Sequence, residues 1–284
     1  MKMEEVIALV LAAGKGTRMK SKLPKVLHKA GGVPMVGQVL RAVKDAGTKR
    51  EIVVVGFGAG AVTAYVGETA ETVVQKEQLG TGHAVLQAES LLQGEKGILL
   101  VTCGDTPLVR TETFRALLDC HKKTQASATV LTACMPDPTG YGRVIRSADG
   151  KVSKIVEQKD GTSQELAVNE VNAGIYCFEL PELWELLHRI GNNNAQGEYY
   201  LTDIIGMLVA DGKTVSAVAA EDYRETLGVN SRLQLAQAEK ILRERKLEEL
   251  MTEGVTVQDP SNTYVETTVT VGRDTVLYAG TVLE

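Results

Sequence analysis

Two glycines and two cations lie close together near the N-terminus: Gly14 and Gly16, then Arg18 and Lys25, in the string LAAGKGTRM followed shortly by LPK. Glycine backbone has no Cβ to hold a phosphate chain away, and the amides it exposes cradle anionic oxygens. Arg18 and Lys25 add positive charge beside that cradle. Further along, Asp105 ends the apolar run GILLVTCGD, where a carboxylate costs stability unless something compensates it. An Asx turn before Thr106-Pro107 is the bland account of Asp105. The chemical account is a divalent cation site: Mg²⁺ wants few hard oxygen ligands, keeps waters and takes phosphate oxygens for the rest.

Two common phosphate loops do not fit. The string lacks the GK[ST] ending of an ATPase P-loop, and Met19 stands where the third glycine of GxGxxG belongs. No evident acidic residue closes the next strand either, which argues against an NAD(P)-dependent oxidoreductase.

These residues must be positioned by the elements around them. Residues 6–13, VIALVLAA, are apolar on both faces and read as a buried central strand of a parallel sheet, whose C-terminal end is where open α/β sheets bind ligands. Strand and helix patterns then alternate: helix at 34–45, strand at 51–55, helix at 82–92, strand at 97–102, helix at 112–122. The fold class is therefore α/β, a Rossmann-like doubly wound sheet. From Ser127 the rhythm turns to strands ATVLTACM, GRVIRS and VSKIVEQ, the last two joined by a turn at Asp149-Gly150, so an antiparallel subregion makes the sheet mixed. A strand at 171–178, helices after Pro181 and at 200–209, and a strand at 215–218 follow, forming the wall of a cleft floored by the first half.

Residues 229–251 carry no helix breaker and read as one long amphipathic connecting helix. Beyond Gly254, Val265, Val271, Leu277 and Leu283 recur every sixth residue, the mark of a left-handed β-helix. Solenoid units need about three or more repeats to bury their faces, so this stretch reads as the start of a truncated one. The expected division is a catalytic domain at 1–229, a linker helix at 230–253 and first β-helix coils at 254–284.

At 284 residues and 44% hydrophobic content the chain can bury a large core. Its formal net charge of -5 argues against nucleic acid as a partner. Cys103, Cys120, Cys134 and Cys177 form no CxxC pair, which suits reduced thiols and a cytoplasmic setting. Neither a signal peptide nor an apolar stretch of membrane-spanning length is evident, so no membrane partner is expected. His28, His83, His121 and His188 show no metal-ligand spacing and read as surface or packing residues, His83 being the one near the glycine loop GTGHA.

The string LAAGKGTRM with its following PK resembles the signature of the sugar-nucleotide pyrophosphorylases, which join a nucleoside triphosphate to a sugar 1-phosphate and release pyrophosphate. Further segments narrow the resemblance: QKEQLGTGHA, DPTGYGRVI, IVEQKD, NEVNAGIY, NNNAQGEYYLTD and GVNSRLQL. Together they are similar to the bacterial bifunctional N-acetylglucosamine-1-phosphate uridylyltransferases, over essentially residues 5 to 284. The resemblance implies a nucleotide-diphospho-sugar transferase fold. It also implies UTP and N-acetylglucosamine 1-phosphate as substrates, UDP-N-acetylglucosamine and pyrophosphate as products, Mg²⁺ as cofactor, and a place in cell-wall and lipopolysaccharide precursor supply.

Carried over residue by residue, the resemblance implies nucleotide contacts from Leu11, Ala12, Ala13, Gly14 and Lys25, with Arg18 and Lys25 as catalytic cations. It makes Gln75, Gly80 and Thr81 readers of uracil. Cys103 and Gly104 would border the nucleotide, Gly104 by letting the ribose approach; some relatives carry tyrosine in place of Cys103, so its contribution is expected through the backbone. Gly142, Glu157, Asn172, Tyr200 and Thr202 would hold the sugar, and Asn230 would join Asp105 on the metal, although capping the following helix is an equally natural task for it. The family's homotrimer and its C-terminal acetyltransferase are not expected of a chain with so short a β-helix. Glucose 1-phosphate with dTTP or ATP is the alternative substrate pair, and a catalytically idle nucleotide-sugar sensor the alternative class.

Overall fold

In the computed structural model, residues 5–284 are described. The first half runs β1 (Val6–Ala12), the two-residue arm β2 (Lys29–Ala30) and β3 (Val33–Pro34), α1 (Met35–Asp45), β4 (Arg50–Val55), α2 (Ala59–Val66), β5 (Glu71–Val74), α3 (Thr81–Leu86), α4 (Glu89–Leu92), β6 (Gly97–Cys103) and α5 (Thr111–Thr124). Then come β7 (Ala128–Cys134), β8 (Arg143–Arg146), β9 (Val152–Val156), α6 (Ser163–Leu166), β10 (Glu170–Leu180), α7 (Glu182–Leu187), α8 (Asp203–Ala210), β11 (Val215–Ala219) and α9 (Arg232–Thr252). Four short strands close the chain: β12 (Thr256–Val257), β13 (Tyr264–Val265), β14 (Val276–Leu277) and β15 (Val282–Leu283).

The central sheet has the order β11-β7-β10-β6-β1-β4-β5, with the β8–β9 hairpin attached beside β10. It is parallel from β6 through β5, whereas β10 runs antiparallel to both β6 and β7. The sheet is thus mixed, and its antiparallel subregion sits where the change of sequence rhythm places it.

Period-two alternation along β1 explains the layers. Ile7 and Leu9 face a core shared with Ala84 and Val85 of α3, Leu183 of α7 and Ile204 of α8. Val6, Ala8, Val10 and Ala12 face the opposite core, with Val39 of α1, Val62 of α2 and Leu117 of α5. With both faces covered, β1 has no polar side, which is why its sequence does not alternate.

Several boundaries differ from the sequence expectation. The helix expected at 82–92 is two short helices, α3 and α4. Helix α2 and strand β5 had no counterpart: α2 starts after the left-handed Gly58 and spans only eight residues, and β5 is an edge strand with Glu71 and Val74 exposed. The long helix begins at Arg232 rather than 229, because Ser231 is its N-cap, its hydroxyl accepting from the Gln234 amide.

Helix α9 is more than an arm. Ala238 and Leu242 pack with Ala30, Met35 and Leu108, and Leu247 and Leu250 pack with Val255, Val265 and Leu277. The sixfold pattern marks the inner face of the tail: Val265 and Leu277 are buried, with Val271 and Leu283 packed against them. β12 pairs in parallel with β14, and β13 with β15. Among the described residues no helix is long and apolar enough to cross a membrane.

Candidate active site

The parallel registers bring the chemistry to one rim. Leu11 lies beside Cys103 and Ala12 beside Val55, so the chain leaves β1 at Gly14, β6 at Asp105 and β4 at Gly56 along the same edge. Gln75 joins them, its amide donating to the Val55 carbonyl at 2.8 Å. A cavity of about 250 Å³ opens there. Leu11, Ala12, Ala13, Gly14, Lys25, Gln75, Gly80, Thr81, Cys103 and Asp105 line it, with Val26, Gln78, Ala84 and Glu198.

The two loop glycines have different tasks. Gly14 is open, with nothing within 4 Å of where a Cβ would stand. Gly16 has φ +58°, and a Cβ there would meet the Lys25 Cβ at 2.6 Å, so its bareness seats Lys25 rather than a ligand. Lys25 Nζ donates to Asn230 Oδ1 at 2.8 Å and to the Asp105 carboxylate.

Asn230 reaches this point because the Val229 amide donates to the Asp105 carbonyl at 2.8 Å. It is not the helix cap: Ser231 has that task, and the Asn230 side chain is turned to Lys25. A single cation therefore already sits within reach of both candidate metal ligands. One carboxylate and one amide oxygen are hard donors, too few to enclose an ion, which matches Mg²⁺ completed by water and phosphate. Among the described residues no group of three or more His, Cys, Asp or Glu side chains forms a metal cage.

Cys103 is half-buried at the cavity wall, and burial, with the Asp105 charge beside it, pushes its thiol up to about 12, Lys25 opposing. It is a neutral neighbour, its Sγ placed 3.8 Å from the Gly174 carbonyl. Its own carbonyl accepts from the Thr106 hydroxyl at 2.7 Å. Gly104 departs from expectation. It does not line the cavity, and a Cβ there would point at Val10, Val26 and Ala12 in ordinary contact.

Arg18 stands exposed on the 3-10 turn Thr17–Met19, outside the cavity lining. His83 lies behind the wall, with Nδ1 3.0 Å from Gln75 Nε2 and Nε2 3.2 Å from Gln87 Nε2. Gln75 Nε2 also donates to the Gly80 carbonyl at 3.2 Å, so Gln75 braces the glycine turn that it borders.

The residues expected at the sugar form a connected group. Asn172 donates its amide to the Gly142 carbonyl at 2.9 Å and its Nδ2 to the Tyr176 hydroxyl at 2.6 Å. A Cβ on Gly142 would lie 3.4 Å from both Glu157 carboxylate oxygens, and Thr202 Oγ1 donates to Glu157 Oε1 at 3.1 Å. Burial raises the Glu157 carboxyl above its ordinary value, the Thr202 bond opposing. Glu157 and Tyr200 line a second cavity of about 320 Å³ with Asp160, Asn193, Asn194 and Asp203. Gly142, Asn172 and Thr202 back Glu157 instead of lining that cavity.

One strand-like contact joins the two cavities. Tyr199 N donates to Leu79 O at 2.8 Å, Gly82 N to Tyr199 O at 2.8 Å, and Leu201 N to Thr81 Oγ1 at 3.0 Å. Glu198 faces one cavity and Tyr200 the other. Gly80 has φ +114°, and a Cβ would stand 2.5 Å from the Tyr199 carbonyl, so only glycine permits this seam.

Sequence reasoning missed Gln78, Glu198, Asp160 and Asp203, all of which lie inside strings already singled out. The net charge of -5, set against nucleic acid as a partner, hides a strongly basic stretch. Residues 6–44 contain no acid and eight Lys or Arg. Lys15, Arg18, Lys20 and Lys22 are all exposed on the loop beside the first cavity. That local field attracts anions to the rim of the cavity.

The nucleotidyl transferase family model matches residues 7–240. Three curated relatives share the name Bifunctional protein GlmU. That of Geobacillus sp. strain WCH70 is 54% identical over 98% of this chain and 60% of its own length. That of Geobacillus thermodenitrificans strain NG80-2 is 53% identical over 98% of this chain and 60% of its own. That of Exiguobacterium sp. strain AT1b is 54% identical over 98% and 62%. The chain spans about three-fifths of the length of the curated relatives it matches.

Proposed function

The chain belongs to the nucleotidyl transferase family, and from that premise we propose that it transfers a uridylyl group from UTP to N-acetylglucosamine 1-phosphate, releasing pyrophosphate. One observation carries the reading: Gly14, Lys25, Asp105 and the Gln75–Thr81 wall border one cavity, Asn230 is bound to Lys25 beside it, and a backbone seam joins that cavity to the Glu157–Tyr200 cavity.

The reaction is a displacement at the α-phosphorus. A sugar phosphate oxygen attacks and pyrophosphate leaves, so no protein nucleophile is needed. The protein's task is to align two polyanions and neutralise the charge that builds on the leaving group. Gly14 presents backbone to the phosphates. Lys25 supplies the inner cation, and Arg18, exposed on the same loop, supplies charge from the solvent side. Asp105 Oδ2 and Asn230 Oδ1 would hold Mg²⁺, which when bound polarises phosphoryl oxygens.

Uracil fits the first cavity because it has both acceptors and a donor. Gln75 has an oxygen left to accept from the ring N–H, and the Gly80-Thr81 backbone supplies the complementary groups. Glu157, held by Thr202, and Tyr200 would take the sugar hydroxyls and acetamido group, with Gly142 and Asn172 behind them. In this reading residues 1–229 are the catalytic domain, 230–253 the linker helix and 254–284 the first coils of a left-handed β-helix. The compartment is the cytoplasm, in keeping with four unpaired cysteines.

The reverse reaction tests it. Pyrophosphorolysis of UDP-N-acetylglucosamine to UTP should proceed in Mg²⁺ at least about a hundredfold faster than that of dTDP-glucose or ADP-glucose, the discrimination expected when a built site loses hydrogen-bond partners. Equal or faster cleavage of either alternative would assign the chain to another substrate pair.

A further inference from the structure

We propose that Glu225 and Arg245 are positioning residues that hold Asn230 within one cation's reach of Asp105. The inference rests on the reading of Asp105 and Asn230 as metal ligands.

Those two ligands come from segments far apart in the chain, and Asn230 sits in a connection between a 3-10 turn (Tyr223–Thr226) and α9. A single backbone bond, Val229 N to Asp105 O, joins them directly. Lys25 bridges their side chains and Leu108 packs with Val229, so what remains to be set is the orientation of the two ligands, the task of outer-shell partners.

Glu225 supplies the tie from the turn. It is 4% exposed, yet it has a full set of partners on the other segment. Its Oε1 lies 3.0 Å from Arg110 Nε, and its Oε2 accepts from the Thr113 hydroxyl and, at 3.4 Å, from the Arg110 amide. Arg110 ends the loop that Asp105 begins, and Thr113 lies in the first turn of the helix after it.

Arg245 supplies the tie from α9. Its NH1 donates to the Leu108 carbonyl at 2.7 Å, in the middle of the same loop, while NH2 stands 3.9 Å from Asp222 and 4.0 Å from Glu225. Its Nε and NH2 are buried without hydrogen-bond partners. A buried guanidinium so poorly satisfied is a net cost that an apolar side chain would avoid. What the arginine gains at that cost is one side chain tying α9, the turn and the Asp105 loop together. Neither residue touches either cavity, so neither is catalytic.

The test is binding of Mn²⁺ alone, followed by water-proton relaxation enhancement, in wild type, Asp105→Asn, Glu225→Gln, Arg245→Met, Arg245→Lys and the milder Thr113→Val, each checked for folding by thermal denaturation. Glu225→Gln and Arg245→Met should weaken Mn²⁺ binding about tenfold, at the low end for outer-shell changes. Arg245→Lys should recover part of the loss, and Thr113→Val should lie between wild type and Glu225→Gln. The Mg²⁺ concentration for half-maximal turnover should rise in step, with KM for the sugar phosphate little changed. Folded variants with wild-type Mn²⁺ affinity overturn the proposal, even if turnover falls, and leave the catalytic reading standing. Wild-type Mn²⁺ binding that Asp105→Asn does not weaken removes the metal site and this proposal with it.

Discussion

Lys25 Nζ donates to Asn230 Oδ1 at 2.8 Å, across a sequence separation of 205 residues, and the same ammonium is paired with Asp105. The chain's own cation thus stands between the two oxygens proposed above to hold a divalent metal. In the proposed reading Lys25 holds the place that Asp105 and Asn230 would give to a metal, and Lys25 would turn toward the phosphates in the cavity it borders once those oxygens were occupied.

Replacing Lys25 should therefore have opposite effects on two measurements. Lys25→Met should tighten Mn²⁺ binding by the nucleotide-free protein, since the competitor is gone. It should lower the turnover number by about 10²–10³, as loss of a charge-stabilising group does. Parallel loss of metal affinity and turnover would mean that Lys25 supports the ligands and does not compete for them.

Gly16 and Gly14 should respond differently to alanine. Gly16→Ala puts a Cβ 2.6 Å from that of Lys25 at a left-handed φ, and should cost about 1–2 kcal/mol of stability by denaturant titration together with most of the activity. Gly14→Ala meets nothing within 4 Å and should leave stability within about 0.5 kcal/mol, with its effect confined to KM for the nucleotide. Equal destabilisation by both would contradict the seating of Lys25 on Gly16.

Much of this was legible in the sequence for a physical reason. The string LAAGKGTRM and the apolar runs ending at Ala13 and Cys103 fix which strand ends meet, and their parallel pairing brings Gly14 and Asp105 together. The roles of single residues were less legible. Whether Gly104 faces a ligand depends on the direction of its missing Cβ, and whether Asn230 caps a helix depends on Ser231 doing so one residue later. Helix α2 escaped because Gly56, Gly58 and Gly60 blur the periodicity there, and strand β5 because it is a four-residue edge strand with little buried apolar surface. The whole-chain charge concealed the acid-free run that surrounds the glycine loop.

Glu157 makes stability depend on pH. Burial raises its carboxyl above the ordinary 4.5, so the folded state favours the protonated form. That contribution is fully present below pH 4.5 and is lost as pH rises through the raised value. Glu157→Gln keeps an acceptor for Thr202 and removes the buried charge. It should match wild type in Tm at pH 4 and exceed it at pH 8, while KM for the sugar phosphate rises. A variant less stable than wild type at pH 8 would contradict the cause assigned to the shift.

Gly80→Ala should part the seam between the cavities, since its Cβ would stand 2.5 Å from the Tyr199 carbonyl. KM should rise for both the nucleotide and the sugar phosphate, by about tenfold or more if opening the seam costs each site about 1.4 kcal/mol. A rise for the nucleotide alone would show that the two cavities are independent.

The central claim is tested most directly by pyrophosphate release in Mg²⁺, with UTP, dTTP, ATP and CTP each crossed against N-acetylglucosamine 1-phosphate, glucosamine 1-phosphate and glucose 1-phosphate, for wild type and Asp105→Ala. Turnover concentrated on UTP with N-acetylglucosamine 1-phosphate, and lost by about 10²–10³ or more in Asp105→Ala, is the predicted result. Preference for another pair, or full activity without the Asp105 carboxylate, would contradict it.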